Sequence, residues 1–460
     1  MNVSKSVGIF LLVAVAGALS FGIRAQNSMS GAAATGDALP KDVYPDSRNR
    51  LPLPRHDDFS GEEQKLFDAV NKPSELPVGI EQPEVREWDP KLGYLLSKSG
   101  HYLKYETGLP NPLVEIAVLT AARENDCQYE WTQWETHGRD PKDPRLIDPK
   151  IIDIIKYEKP VVGLGEKETA IIKLGRETFG DRYVTPETFA EVLRLFGRKG
   201  TVDLLWLMAN YGAASAELIA FDNHLRADQK PLMPPVVHKR NPLTFTASYS
   251  NPLPKDVYPD SRNRLPMPKR EDFDAEGQKI FDYVTRGKPM ANGEVPSGFL
   301  PTGTPQADVR LWAPKLAMAQ SDAGHYLKYD TGLPNRLLEI AILQTAYELE
   351  CQYEWTQWER FGRNPKDPRH IKDSLIDLIK YNKPVVGIGE KEAAIIKFSR
   401  EDFGDRKVSP ETFAEVLRLF GRKGTVDLLW VMANYSTAAA ELTAFDQQLQ
   451  PGQTPLLPAR

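Results

Sequence analysis

The sequence predicts an all-α protein made of two homologous helical domains, and three observations predict it. First, the chain repeats itself. Leu39–Pro52 returns at Leu253–Pro266, Cys127–Glu135 returns at Cys351–Glu359, and Pro186–Trp206 returns unchanged at Pro410–Trp430. A period of that length is a whole domain and not a solenoid unit. Second, apolar residues recur at helical spacing: Leu113, Ile116, Ala117, Thr120 and Ala121 stand at i, i+3, i+4, i+7 and i+8. Third, alternating strand patterns are few. With 41% hydrophobic and 26% charged residues, each half has the composition to bury a core.

The elements of the first copy follow in order. Leu39–Pro54 carries four prolines and cannot be regular helix, so it is expected to lie as an extended strap over its own domain or its neighbour. Ser60 and Glu63 have capping-box spacing ahead of Leu66, Phe67 and Val70. A loop follows to Pro83, and the second copy is longer here, with Gly and Pro through Gly287–Pro305. Lys91–Tyr105 reads as helix, stopped by Thr107-Gly-Leu-Pro110. Pro112–Asn125 and Cys127–His137 are two further helices with a short break between them. Asp148 can cap Lys150–Tyr157. Glu166–Phe179, Pro186–Gly197 and Thr201–Leu218 complete the set. Gly197-Arg-Lys-Gly200 reads as a helix stop with solvated charges.

The first residues read as a targeting signal. Lys5, the apolar run Val7–Leu19 and Ala25 before Gln26 have the order of a cleaved export signal. A retained anchor is the alternative, and the run is short for a bilayer, which takes about 20 residues. The expected organisation is a signal over 1–25, a polar leader over 26–38, repeat one over 39–234, a linker over 235–252 and repeat two over 253–460. The protein would then be periplasmic or secreted, with no membrane attachment after cleavage.

Net charge is −5, and the signal region carries Lys5 and Arg24 but no acid, so its removal makes the protein more acidic and a nucleic-acid partner is not expected. Cys127 and Cys351 are the only cysteines. They could pair only with each other, and spacing leaves that open. Metal-ligand spacings, dinucleotide loops and the nucleophile-elbow motif are missing, so no metal and no cofactor is expected.

One segment carries chemistry. Cys127, Glu130, Trp131 and Trp134 stand at i, i+3, i+4 and i+7 and share a helical face, preceded by Glu115. Cys351, Glu354, Trp355, Trp358 and Glu339 repeat the arrangement. A buried acid must find a partner, so a plain core would not be built this way. Glu115, Cys127 and Glu130, with Glu339, Cys351 and Glu354, are therefore the catalytic candidates. Trp131, Trp134, Trp355 and Trp358 are candidate walls of a substrate pocket. His101 and His325, the histidines common to both copies, are candidate proton carriers; the plain alternative is a packing role.

The pattern Leu-Pro-x-x-Leu-x-Glu-Ile-Ala-x-Leu, then Tyr-Glu-Trp, then a helix like Val202-Asp-Leu-Leu-Trp-x-Met-Ala-Asn-Tyr211, resembles the carboxymuconolactone decarboxylase family. That family includes the alkylhydroperoxidase D-like proteins. The resemblance spans roughly residues 85–225 and 308–449. It implies helical hairpins that associate in pairs and then rings. The two repeats would form such a pair internally, and the chain a homo-oligomer. In the thiol-active branch an acid precedes Cys-x-x-Cys, and a His follows. Glu115 and Cys127 match the acid and first Cys, but Glu130 stands at the second Cys and Trp134 at the His. A two-thiol peroxidase relay is therefore not expected. Two functions stay open: an enzyme acting on a small organic acid, lactone or peroxide, or a binding or assembly protein without catalysis.

Overall fold

The computed structural model describes residues 39–71, 84–234, 252–286 and 305–458. The expected signal, leader and linker, and all but the end of the Gly287–Pro305 insertion, lie outside the described residues.

The described residues form helices and connecting turns, with no strand among them. The first half holds α1 (Gly61–Asn71), α2 (Pro90–His101), α3 (Asn111–Glu124), α4 (Gln128–Arg139), α5 (Pro149–Lys156), α6 (Glu166–Gly175) and α7 (Pro186–Ala220). The second half repeats the pattern. It holds α8 (Ala275–Arg286), α9 (Pro305–Arg310), α10 (Pro314–His325), α11 (Asn335–Glu348), α12 (Gln352–Arg363), α13 (Asp373–Lys380), α14 (Glu390–Ser399) and α15 (Pro410–Ala444). The protein is thus all-α, in two similar helical halves.

Local chemistry sets the boundaries. Asp148 accepts from Lys150 N at 2.8 Å and starts α5, as its capping position predicts. Thr185 and Ser409 cap α7 and α15 in the same way, each followed by a proline. Asp126 takes a left-handed φ of 54° between α3 and α4, and Glu350 one of 57° between α11 and α12. That single residue turns the chain, so α4 packs back on α3.

Gly197 ends the first part of α7, as its sequence predicts, with φ 67° and ψ 178°, a conformation that favours glycine. The residues after it are not a turn, although Arg198 and Lys199 are exposed as expected. They already belong to the second part of the helix. Arg198 lies over the Trp312 ring at 4.6 Å, and Lys199 pairs with Asp203 at 2.5 Å. Their twins Arg422 and Lys423 lie over Trp88 at 4.4 Å and against Asp427 at 2.8 Å.

The two halves interlock. α7 packs against α15, and α2 against α10. Leu51, Trp88 and Leu92 of the first repeat belong to the hydrophobic core of the second. Leu265, Trp312 and Leu316 of the second belong to the core of the first. The proline-rich straps tie both together. Buried Arg50 pairs with Asp42 and donates to Ala220 O at 3.2 Å in its own half and to Val408 O at 3.0 Å in the other. Arg264 does the same with Asp256, Ala444 O and Val184 O. Each buried guanidinium thus satisfies one carbonyl left over at a helix end, Ala220 O or Ala444 O, and one from the segment ahead of the other half's long helix.

Candidate functional site

Glu115 and Glu339 are fully buried on α3 and α11. A Cβ at Gly138 would meet Glu115 Oε1 at 3.0 Å, and one at Gly362 would meet Glu339 Oε1 at 3.0 Å. Glycine at these points of α4 and α12 is what lets the carboxyl fit. Burial pushes Glu115 up to about 9, against the pull of Arg145 and Lys104 and with a further push from Asp143. Glu339 is pushed up to about 8 by burial, against Arg369. Both are therefore largely protonated near neutrality.

Cys127 and Cys351 are buried, free thiols at the starts of α4 and α12. Burial, with the neighbouring Glu130 acting the same way, raises Cys127 to about 12. Cys351 is raised in the same way beside Glu354. The two thiols do not pair with each other.

Glu130 accepts from Ser215 Oγ at 3.2 Å. Burial raises it to about 8, against Ser215 and Arg86. The cation is not Arg123, the sequence-near candidate. Arg123 donates to Lys156 O at 2.9 Å and pairs with Glu158 at 3.3 Å. Arg145 is held by Asp143. In the second half Ala439 stands where Ser215 stands in the first, and Glu354 Oε2 is buried without a hydrogen-bond partner. Burial raises Glu354 well above the carboxylate range, with Arg310 opposing.

The two indoles of each motif part company. Trp131 is fully buried, and its Nε1 donates to Glu135 at 2.6 Å. Glu135 also pairs with Arg139 at 2.8 Å and Lys156 at 3.0 Å. Trp355 repeats this with Glu359, Arg363 and Lys380. These two indoles are core pieces. Trp358, by contrast, lines a cavity of about 250 Å³ with Lys328, Tyr329, Arg369, Asn434 and Tyr435, over an apolar floor of Leu327, Leu338, Ile342 and Val431. Lys328 lies 5.5 Å and Arg369 5.3 Å from the Trp358 ring, and Tyr435 meets that ring edge-on at 5.2 Å. Trp134 has the same neighbours at nearly the same distances: Lys104 at 5.5 Å, Arg145 at 5.2 Å and Tyr211 at 5.1 Å.

Tyr435 lines the cavity. Its hydroxyl, raised by burial, also feels Glu354, Glu339 and Arg369. Tyr211 likewise feels Glu130, Arg145 and Glu115. The candidate acids and the tyrosine of each half are thus electrostatic neighbours, but no hydrogen bond among the described residues links them: Tyr211 Oη and both carboxyl oxygens of Glu115 and of Glu339 are buried without a hydrogen-bond partner. His101 and His325 lie against tyrosines of the same neighbourhood, since Tyr329 lines the cavity and acts on Tyr435, and Tyr105 acts on Tyr211. The two histidines pair with Glu106 at 3.4 Å and Asp330 at 3.8 Å and stack on Tyr105 and Tyr329. His137 pairs with Asp143 at 3.0 Å.

Sequence reasoning missed Lys104, Arg145, Tyr211 and Asn210, with their twins Lys328, Arg369, Tyr435 and Asn434. A signal for the last pairs was present. Asn-Tyr is identical in the two copies while nearby residues change: Leu207 to Val431, Gly212 to Ser436, Ala213 to Thr437.

Comparison with family models, with curated proteins and with solved structures finds no match. The chain itself defines an all-α protein of two similar halves, the second with a cavity carrying two cations. Among the described residues no group of His, Cys, Asp and Glu could hold a metal ion, and no helix is long and apolar enough to cross a membrane.

Proposed function

We propose that the protein binds a small organic anion with an apolar body, a free acid or a lactone acid, and moves a proton on it. The observation that carries this is the pair Lys328 and Arg369 beside the Trp358 ring, at the wall of a cavity with an apolar floor. Asp367, behind the wall, holds Arg369 in a two-point ion pair at 2.7 Å, so with Glu339 protonated Lys328, Arg369 and Asp367 together leave one positive charge. A carboxylate suits the cations, and the floor suits a hydrocarbon body. Tyr435 would pass a proton between the ligand and the neutral carboxyl of Glu339, whose value of about 8 suits acid–base work near neutrality.

The burial of both thiols argues against a peroxide substrate, because the thiolate is the reactive form. The resemblance to the decarboxylase family agrees with this choice but is carried by sequence pattern alone. We also propose that the protein is exported and forms a ring-shaped homo-oligomer. A second reading is binding without catalysis, favoured by Glu130 and Trp134, with Glu354 and Trp358, standing where the second Cys and the His of the thiol relay would be.

The test is a screen of purified mature protein for decarboxylation and proton exchange on lactone and open-chain carboxylates. Turnover that falls at least tenfold in Tyr435→Phe/Tyr211→Phe, with binding retained, supports the acid–base reading. Binding without turnover selects the second reading. Thiol-dependent peroxidase turnover would overturn both.

A further inference from the structure

The two repeats keep one polar frame and change what lies beneath it. Lys104, Arg145, Trp134 and Tyr211 reproduce the ring distances of Lys328, Arg369, Trp358 and Tyr435 to within about 0.1 Å. The floor is not reproduced. Leu338 and Ile342 on α11 correspond to Val114 and Val118 on α3, while Val431 on α15 corresponds to Leu207 on α7. All six side chains are buried, at 4% exposure or less. The total bulk differs by a single carbon. Its distribution is reversed: repeat two carries it on the α11 side and is lean on α15, and repeat one carries it on the α7 side and is lean on α3.

We infer that the chain holds two anion sites with the same head-group chemistry and different apolar specificity, set by positions 114, 118 and 207 in repeat one and 338, 342 and 431 in repeat two. This rests on the anion-site reading above. The carboxylate of each ligand meets the Lys–Arg pair. The body leans toward Val431 in repeat two and toward Val114 and Val118 in repeat one. Buried floors transmit such changes, because close-packed walls shift little and a single methylene is felt. One methylene in an apolar pocket is worth roughly 10- to 200-fold in discrimination. A drifting duplicate would be expected to lose polar wall residues as readily as floor ones. Here every Lys, Arg, Trp, Tyr and Asn of the cavity wall is the same in both copies, and the change is confined to three aliphatic positions.

The test is calorimetry on the full mature chain with one site silenced at a time. Lys328→Gln/Arg369→Gln leaves repeat one, and Lys104→Gln/Arg145→Gln leaves repeat two. The probes are benzoate, phenylacetate, 3-phenylpropanoate, cyclohexanecarboxylate and 2-methylbutanoate. The two single-site chains should rank these probes differently, with at least one pair of probes inverted by about tenfold. Adding Val114→Leu/Val118→Ile/Leu207→Val to the repeat-one chain should impose the repeat-two ranking. The reciprocal change, Leu338→Val/Ile342→Val/Val431→Leu, should do the converse and covers the case in which the first variant fails to fold. The same ranking in both single-site chains overturns the specificity inference and leaves the anion sites standing. No binding of any probe by either chain overturns the anion-site reading itself.

Discussion

The indole Nε1 of Trp430, in the second half, donates to Glu217 Oε2, in the first, at 2.6 Å. Arg86 pairs with the same oxygen at 2.7 Å and lies 4.5 Å over the Trp430 ring. The mirror arrangement joins Trp206, Glu441 and Arg310 at 2.8 and 2.9 Å, with the guanidinium 4.5 Å over the ring. All six side chains are buried. Each triad takes its indole from one half and its ion pair from the other, and Arg86 and Arg310 also act on Glu130 and Glu354. The seam between the halves and the candidate acids therefore share a charge network.

The first prediction concerns that seam. Glu217→Ala leaves Arg86 buried without its counter-ion, and breaking a buried pair in this way costs about 3–5 kcal/mol. Because each core draws on both repeats, the halves should unfold together. Urea titration followed by far-UV circular dichroism and by tryptophan emission should give one coincident transition, shifted to lower urea in the variant. Two separate transitions in the wild-type chain would contradict the interlocked cores.

The second concerns the thiols. With Cys127 raised to about 12, the folded protein holds roughly a thousandfold less thiolate than an unperturbed thiol would at the same pH. Aromatic disulfide reagents should label neither cysteine until denaturant is added. Cys127→Ala and Cys351→Ala should leave ligand binding unchanged. Rapid labelling of the native protein would count against buried, inert thiols.

The third is a pH dependence. Glu115 and Glu130 have folded values of about 9 and 8, above the unfolded value near 4.3. The folded state therefore binds more protons than the unfolded state between these limits. The stability each group contributes is fully present below the unfolded value and is lost as pH rises through the folded one. The loss is about 1.4 kcal/mol per pH unit for each group while the two states differ by a full proton. Between pH 5 and 8, Glu115→Gln should lose less stability than wild type when urea midpoints are compared. Parallel profiles would show that Glu115 is not held neutral.

The helices and the duplication were legible in the sequence because their causes are local. Asp148 caps α5, the prolines open α7 and α15, and a motif repeated in order repeats its fold. The exchange of core segments was not legible. Trp88 and Leu92 show the same apolar periodicity whichever core they join, so pattern alone cannot choose between them. The acids and thiols could be named because a helical face collects them. Lys328 and Arg369 could not, since a lysine in a helix and an arginine in a turn read as solvated charge until the fold brings them beside Trp358.

The fourth prediction uses a natural asymmetry. Asp89 joins the halves by accepting from Lys423 Nζ at 2.8 Å and from Tyr326 Oη at 2.7 Å, while Ala313 holds the equivalent position on the other side. Asp89→Ala removes the acceptor of the buried Tyr326 hydroxyl and one of the two carboxylates around Lys423, which keeps Asp427, and should cost about 1–3 kcal/mol. Tyr326→Phe in the Asp89→Ala background should then cost little more. A double-mutant cycle in urea measures this, and strict additivity would remove the proposed coupling.

The central claim is that Lys328 and Arg369, with Lys104 and Arg145 in the first half, receive the carboxylate of an apolar acid. Calorimetric titration of the mature chain with 3-phenylpropanoate and with its uncharged amide tests it most directly. The account predicts that the acid binds, that its affinity falls with added salt, that the amide binds at least tenfold more weakly, and that Lys104→Gln/Arg145→Gln/Lys328→Gln/Arg369→Gln abolishes the difference. Equal binding of acid and amide by the wild-type chain, or acid binding that survives the fourfold variant, would contradict it.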